Sequence, residues 1–257
     1  MKQSIRVLTA ALVALSVTVP TAAANTGWLF DQDTSTLGKM TVYYDVNKAL
    51  RIDMDRTKST LVMKAPDWRI QMFNKARKIS FSTDSENFGG LIRAAHIAAV
   101  VTSPRTGMNV KFADNTTFVG VAAKRYLYSP TKAQSEVTML KSAEYWVGTL
   151  PAPPRVTRAI EKLYNVPLVD GLPLALFVRS VHNYNYKELN THYAKEKQLA
   201  ADTFAVPAGY KSYSDLMEFW NCALGTDSGS AGLLEMIAPA DEAKTTPKPN
   251  SSGVRQH

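Results

Sequence analysis

One cysteine in 257 residues, Cys222, rules out an internal disulfide, so the fold has to be held by an ordinary apolar core. Cys222 lies in an apolar helical stretch and reads as a small buried hydrophobe. Long hydrophobic runs are also missing. Beyond the N-terminus nothing approaches the roughly 20 apolar residues of a membrane-spanning helix, so no transmembrane segment is expected there. The histidines, His96, His182, His192 and His257, show no metal-ligand spacing, and there is no His-Glu-x-x-His helix. Ser228 and Ser230 stand in a glycine-rich run that lacks the Gly-x-Ser-x-Gly order and has no strand before it. Asp53 and Asp55 fall on the polar side of a strand and read as solubilising charges, not as a general acid and base. No catalytic residue, metal site or cofactor is expected, and the chain reads as a non-enzyme. A concentrated basic patch is absent too. The net charge of +8 is spread out, and its densest cluster, Lys75, Arg77 and Lys78, reads as a solvated turn. Nucleic acid is therefore not an expected partner.

What is present begins with an export signal. Lys2 and Arg6 form a basic start, Val7 to Val19 a short apolar stretch, and Ala22-Ala23-Ala24 a small-residue cleavage site. Cleavage after Ala24 would remove residues 1–24 and lower the net charge to +6. No cysteine stands at the junction to carry a lipid anchor. Residues 25–225 read as one domain, and 226–257, rich in Ser, Gly, Ala, Thr and Pro, as a low-complexity disordered tail.

The body opens with a short lead-in, Asn25 to Thr36, followed by a run of short strands. Met40, Val42 and Tyr44 alternate with polar neighbours, as do Leu50, Ile52 and Met54, then Leu61 and Met63, then Trp68, Ile70 and Met72. Side chains on a strand alternate between its faces, so the pattern spells an antiparallel meander with one oily surface. Val62 breaks the alternation by placing an apolar residue on the other side. Four of the nine methionines sit on the oily face, and methionine repacks easily around irregular apolar shapes. Two roles fit that face: a core packed against helices, or the lining of a hollow.

Further along, Ile79 and Phe81 mark a fifth strand, and Phe88 to Ala99 has helical spacing weakened by Gly89 and Gly90. Strands are expected at Val110–Phe112, after an Asp114-Asn115 turn at 117–128, at 136–147, and at 172–181. Pro154 to Tyr164 reads as a helix with proline in its first turn. Tyr184 to Ala201 fits either a loose helix or a long polar-faced strand. A last helix starts near Asp215, with Glu218 at the capping-box position and Leu216, Phe219, Trp220, Ala223 and Leu224 as its buried stripe.

Several short stretches carry a resemblance. Gly38-Lys39-Met40 with Val42-Tyr43-Tyr44-Asp45, Arg51-Ile52-Asp53-Met54, Tyr145-Trp146-Val147 before a proline break, Gly171-Leu172-Pro173-Leu174, and Phe204 to Lys211 around Pro207-Ala208-Gly209-Tyr210 resemble exported bacterial proteins of the lipoprotein-sorting superfamily and its uncharacterised relatives. The resemblance covers most of Thr36 to Trp220. It implies an α+β fold: a strongly bent antiparallel sheet forming an unclosed β-barrel covered by a few helices. It also implies a periplasmic location and a hollow that receives a lipid, an acylated protein or another hydrophobic ligand. Carried onto this chain, Met40, Ile52, Met54, Met63, Trp68, Ile70 and Met72 would line that hollow. The alternative is a cell-envelope interaction or sensory module, with the hollow filled by its own helices and a rim or the tail engaging a protein partner.

Overall fold

The computed structural model describes residues 25–88, 108–131, 140–164, 166–167, 169–182 and 184–225. The export signal, the helix expected beyond Phe88, His96 and the tail lie outside them. The strands are β1 (Asn25–Thr34), β2 (Gly38–Asp45), β3 (Ala49–Met54), β4 (Ser59–Lys64), β5 (Ile70–Asn74), β6 (Ile79–Thr83), β7 (Met108–Phe118), β8 (Val121–Pro130), β9 (Leu140–Gly148), β10 (Leu172–Ser180), β11 (Asn185–Leu199) and β12 (Lys211–Tyr213). The helices are α1 (Pro154–Tyr164) and α2 (Leu216–Leu224). All the strands belong to one sheet, in the order β12-β6-β5-β4-β3-β2-β1-β11-β10-β9-β8-β7. Its ends do not meet, and every pairing is antiparallel except that of β12 with β6. This is the unclosed, helix-covered sheet expected from the sequence.

Register explains why the oily residues gather. Across β1 to β6 one row runs Phe30, Val42, Ile52, Leu61, Met72 and Phe81, each opposite the next. Directly opposed residues share a face, so this row is the inner surface of the bend. Helix α1 buries Val156, Ile160, Leu163 and Tyr164, and α2 buries Phe219 and Trp220. Phe219 stacks at a tilt on Phe81, 6.3 Å between centroids, which places α2 over the β6 end. Asp215 caps α2 as expected, accepting from the Glu218 amide at 3.0 Å, and Gly225 closes it at φ +74°.

Three expectations change, and one open alternative is settled. The lead-in is a full strand, β1, which bridges the two halves of the sheet by pairing with both β2 and β11. Residues 185–199 form the polar-faced strand, β11, and no helix. Asp114 and Asn115 are not a turn; they lie inside β7 next to a bulge, and the turn falls at Val119-Gly120. Trp68 sits in the β4–β5 turn at φ +52°, not within β5. Its indole still folds inward and is buried.

The bend has a local cause. Strand β11 carries two irregularities, with Glu188 unpaired opposite β10 and His192 unpaired opposite β1, and β10 carries another at Leu174. Each extra residue kinks its strand and raises the local twist. The outer face is covered as well: residues 200–210 cross it from the end of β11 to β12. Arg51 donates from Nη1 to the Thr203 carbonyl at 2.7 Å, and Tyr210 packs edge-on against Phe73. Val62, opposite Arg51 on this outer side, is fully buried. Its break in the alternation marks the surface beneath this strap.

Candidate binding site

The seven residues expected to line a hollow are all buried, from 0% exposed at Ile52 to 8% at Trp68. They join one apolar cluster with Phe30, Tyr145, Ile160, Phe219 and Trp220. Neither the interior void nor the outer cavity described below is lined by any of them.

The interior void lies beside them, at the seam between α1 and the sheet. Phe30 and Val42 from β1 and β2, Ile160 and Tyr164 from α1, and Leu172 to Leu174 from β10 surround it, together with Gln32. Gln32 is opposite Met40 and Val42 is opposite Ile52, so the seam adjoins the methionine-rich wall. The void measures about 10 Å³, roughly one water-sized probe.

Polar groups converge there that the sequence did not reveal. The bulge at Leu174 turns carbonyls of β10 toward side-chain donors. Gln32 Nε2 donates to the Pro173 carbonyl at 3.1 Å and to Thr191 Oγ1 at 2.9 Å, and Thr191 Oγ1 donates to the Leu174 carbonyl at 2.6 Å. Gln32 Oε1 accepts from the Tyr164 hydroxyl at 3.2 Å, so the cluster is satisfied. Burial pushes the Tyr164 phenol far above its ordinary value, so it remains a neutral donor. An amide and two hydroxyls can orient a polar atom but supply no acid–base pair near neutrality. The polar residue at inward position 32 of β1 is the available signal, concealed because it interrupts the alternation by which a strand is recognised.

Helix α1 roofs this seam and is fastened at its rim by charged side chains. Arg155 donates to the Asp67 carbonyl, Arg158 pairs with Glu86 at 2.8 Å, and Lys162 donates to the carbonyls of Ser85 and Glu86 at 2.7 Å. Its buried side presents Val156, Ala159, Ile160 and Leu163, with Thr157 and the Tyr164 hydroxyl as its polar groups. Burial also raises the Tyr44 phenol to about 12, and that hydroxyl donates to the Pro151 carbonyl just ahead of the helix.

Asp53 differs from its sequence reading. It receives Arg51 Nε at 2.9 Å and Thr60 Oγ1 at 2.6 Å, and so fixes the guanidinium that holds the strap. Asp55 is exposed and faces Lys58 at 3.8 Å. His192 pairs with Asp33 on the surface at 2.9 Å. Among the described residues no three His, Cys, Asp or Glu converge as a metal site, and no helix is long and apolar enough to cross a membrane.

No protein-family model and no curated protein sequence matches the chain. Solved structures do. An uncharacterised conserved protein from Thermus thermophilus aligns at TM-score 0.39 and 7% identity, over 74% of this chain and 91% of that one. MucB of Pseudomonas aeruginosa, solved with MucA, aligns at TM-score 0.33 and 10% identity, over 72% of this chain and 57% of the other. An outer-membrane lipoprotein-sorting protein domain from Vibrio parahaemolyticus aligns at TM-score 0.29 and 10% identity, over 70% and 89%. At TM-scores this far under 0.5 the likeness extends to neither ligand nor partner.

Proposed function

We propose that this chain is an exported, non-catalytic binding protein of the periplasm that takes an apolar chain, free or attached to a protein, into the interior beneath α1. The observation that carries this reading is the seam itself: an apolar void at a helix–sheet junction, beside a wall of four methionines, with an amide and a phenol at its edge. In the closed form the void is too small for a methylene chain, so entry requires α1 to lift. Its rim contacts are exposed and polar, so they exchange readily with water and cost little to break. Methionine side chains can then rearrange around the guest. Each methylene transferred from water contributes about 0.8 kcal/mol, which makes binding of a single chain useful and reversible.

Native mass spectrometry of the exported protein, with titration of a fluorescent fatty acid, tests this. A retained apolar mass or saturable probe binding is expected. A protein that carries no guest and leaves the probe unchanged overturns the proposal.

A second reading has its own support. Val110 and Phe112, on the terminal strand β7 and on one face of it, are 54% and 48% exposed. In that reading the interior is filled by the protein's own side chains, and this end of the sheet engages an envelope protein. Cross-linking from position 110 should then capture a specific partner, with capture lost in Phe112→Ser.

A further inference from the structure

A separate cavity lies on the opposite side of the sheet, between its outer face and the strap, and measures about 480 Å³. Its sheet wall carries Tyr43, Arg51, Lys75 and Lys197, and its strap wall runs from Ala200 to Pro207. Local packing produces it. Gly27 has no side chain, and Leu199 packs into the notch this leaves at the start of the strap. Arg51 fastens the strap again at the Thr203 carbonyl.

The cleft is elongated, with its free charge at the two ends. Lys75 in the β5–β6 turn and Lys197 on β11 are five strand spacings apart, about 24 Å at roughly 4.8 Å each. They are also offset along the strands, and their four-carbon stems shorten that offset. Neither lysine has an ion-pair partner among the described residues. Arg51 between them is engaged by Asp53, and Asp202 is the one acidic residue in the lining. Leu199, Val206 and Pro207 add an apolar lip. No small anion spans such a cleft. An extended chain with acidic residues at matching separation does.

The chain that leaves α2 has that pattern. A Cβ at Gly225 would collide with the Arg77 guanidinium, so α2 ends beside the turn that carries Lys75. From 226 to 243 the sequence holds four acidic residues, Asp227, Glu235, Asp241 and Glu242, and no lysine or arginine. Asp227 and Glu235 are separated by about 26 Å when the chain between them is extended, at roughly 3.3 Å per residue. Leu233 stands two residues before Glu235, and Leu199 two residues after Lys197. Laid antiparallel to β11, the two leucines meet when the charges do.

We infer that residues 226–235 of this chain dock in the outer cleft. Asp227 faces the Lys75–Arg77 turn, Leu233 and Leu234 rest on Leu199 and Val206, and Glu235 pairs with Lys197. Exposed ion pairs are individually weak, but the tether through α2 keeps the segment at high local concentration, so little affinity is required. The docking is independent of the interior seam, since the sheet separates the two.

Backbone ¹⁵N relaxation of the full chain tests this. Order parameters for 228–235 should approach the value of about 0.85 found in rigid backbone, against less than about 0.6 for an undocked segment. Glu235→Lys alone and Lys197→Glu alone should each release the segment, and the two together should dock it again. Lys64→Glu, outside the cleft, should leave it docked. Melting transitions confirm that each variant is folded. A mobile 228–235 in the unaltered protein, order that survives both single exchanges, or failure of the folded double variant to regain it overturns the inference. Order that rises with protein concentration would seat the segment in a second copy and overturn docking within one chain.

Discussion

The Tyr164 hydroxyl donates to Gln32 Oε1 across 3.2 Å, joining the last residue of α1 to the side chain that also holds the Pro173 carbonyl. The roof of the half-barrel and the bulge that bends its wall therefore share one polar group. Removing the hydroxyl should loosen both.

Tyr164→Phe leaves Gln32 Oε1 buried without its donor while conserving the ring. An unsatisfied buried acceptor costs about 1–3 kcal/mol. The variant is expected to lose stability in that range, read as a lower urea midpoint at unchanged slope. Hydrogen exchange of the α1 amides should speed up more than that of β2 to β4, because the fastening lost belongs to the helix.

Gly27 gives a second test, at the other surface. A Cβ there would meet the Tyr44 carbonyl oxygen at 2.7 Å as well as the Leu199 side chain. Leu199 can move, but a backbone carbonyl in the β1–β2 ladder cannot. Gly27→Ala should therefore destabilise by about 1–3 kcal/mol, in the range for overpacking a filled site. The loss is read by thermal melting, and it should come with faster proteolysis between 200 and 210 as Leu199 leaves its notch.

Much of the architecture was legible where one face is uniformly apolar. Met40, Ile52, Leu61 and Met72 announce their strands because each inward position is oily, and α1 and α2 are found from their proline start and Asp215 cap. Strand β1 was missed because Gln32 and Thr34 occupy inward positions and interrupt the period-two pattern. Gln32 is also the centre of the interior cluster, so the fold signal and the site signal were lost together. The outer cavity was illegible for a different reason. It depends on Gly27, Arg51 and Leu199 meeting across the β1–β2–β3 and β1–β11 pairings, and no spacing along the chain encodes that meeting. Val62 was the one local hint, an apolar residue on a face otherwise read as solvated.

Glu188 allows a prediction about pH. It is the unpaired residue of a β11 bulge, and burial raises its carboxyl above the ordinary glutamate value, partly countered by a hydrogen bond from Ser35. A carboxyl with a raised folded-state value resists ionisation, so its penalty is absent below the unfolded-state value. It grows as pH rises and is complete above the folded-state value. Glu188→Gln should accordingly stabilise the protein at pH 7 and change it little at pH 3. Melting temperatures of the two proteins across that range check this; a constant offset at every pH would show that ionisation of Glu188 is not the cause.

Two turns in the meander place different residues in the same backbone conformation, and their glycine variants should diverge. Trp68 and Lys78 both have φ +52°, the left-handed region that costs a residue with a side chain roughly 1–2 kcal/mol. Glycine relieves that cost at either site while adding entropy to the unfolded chain. Lys78 is exposed and gives the fold little beyond its backbone, whose carbonyl accepts the Lys211 amide at the β12 edge. Lys78→Gly keeps that bond and should gain up to about 1 kcal/mol. Trp68 has the same strain but buries its indole in the inner cluster, 8% exposed. Trp68→Gly forfeits that packing, worth about 3–5 kcal/mol for truncation of a buried tryptophan, and the relief of strain is smaller than the loss. Chemical denaturation of the two variants side by side should give shifts of opposite sign. Equal shifts would mean that turn geometry, not the anchoring of Trp68 in the interior, sets the stability of this meander.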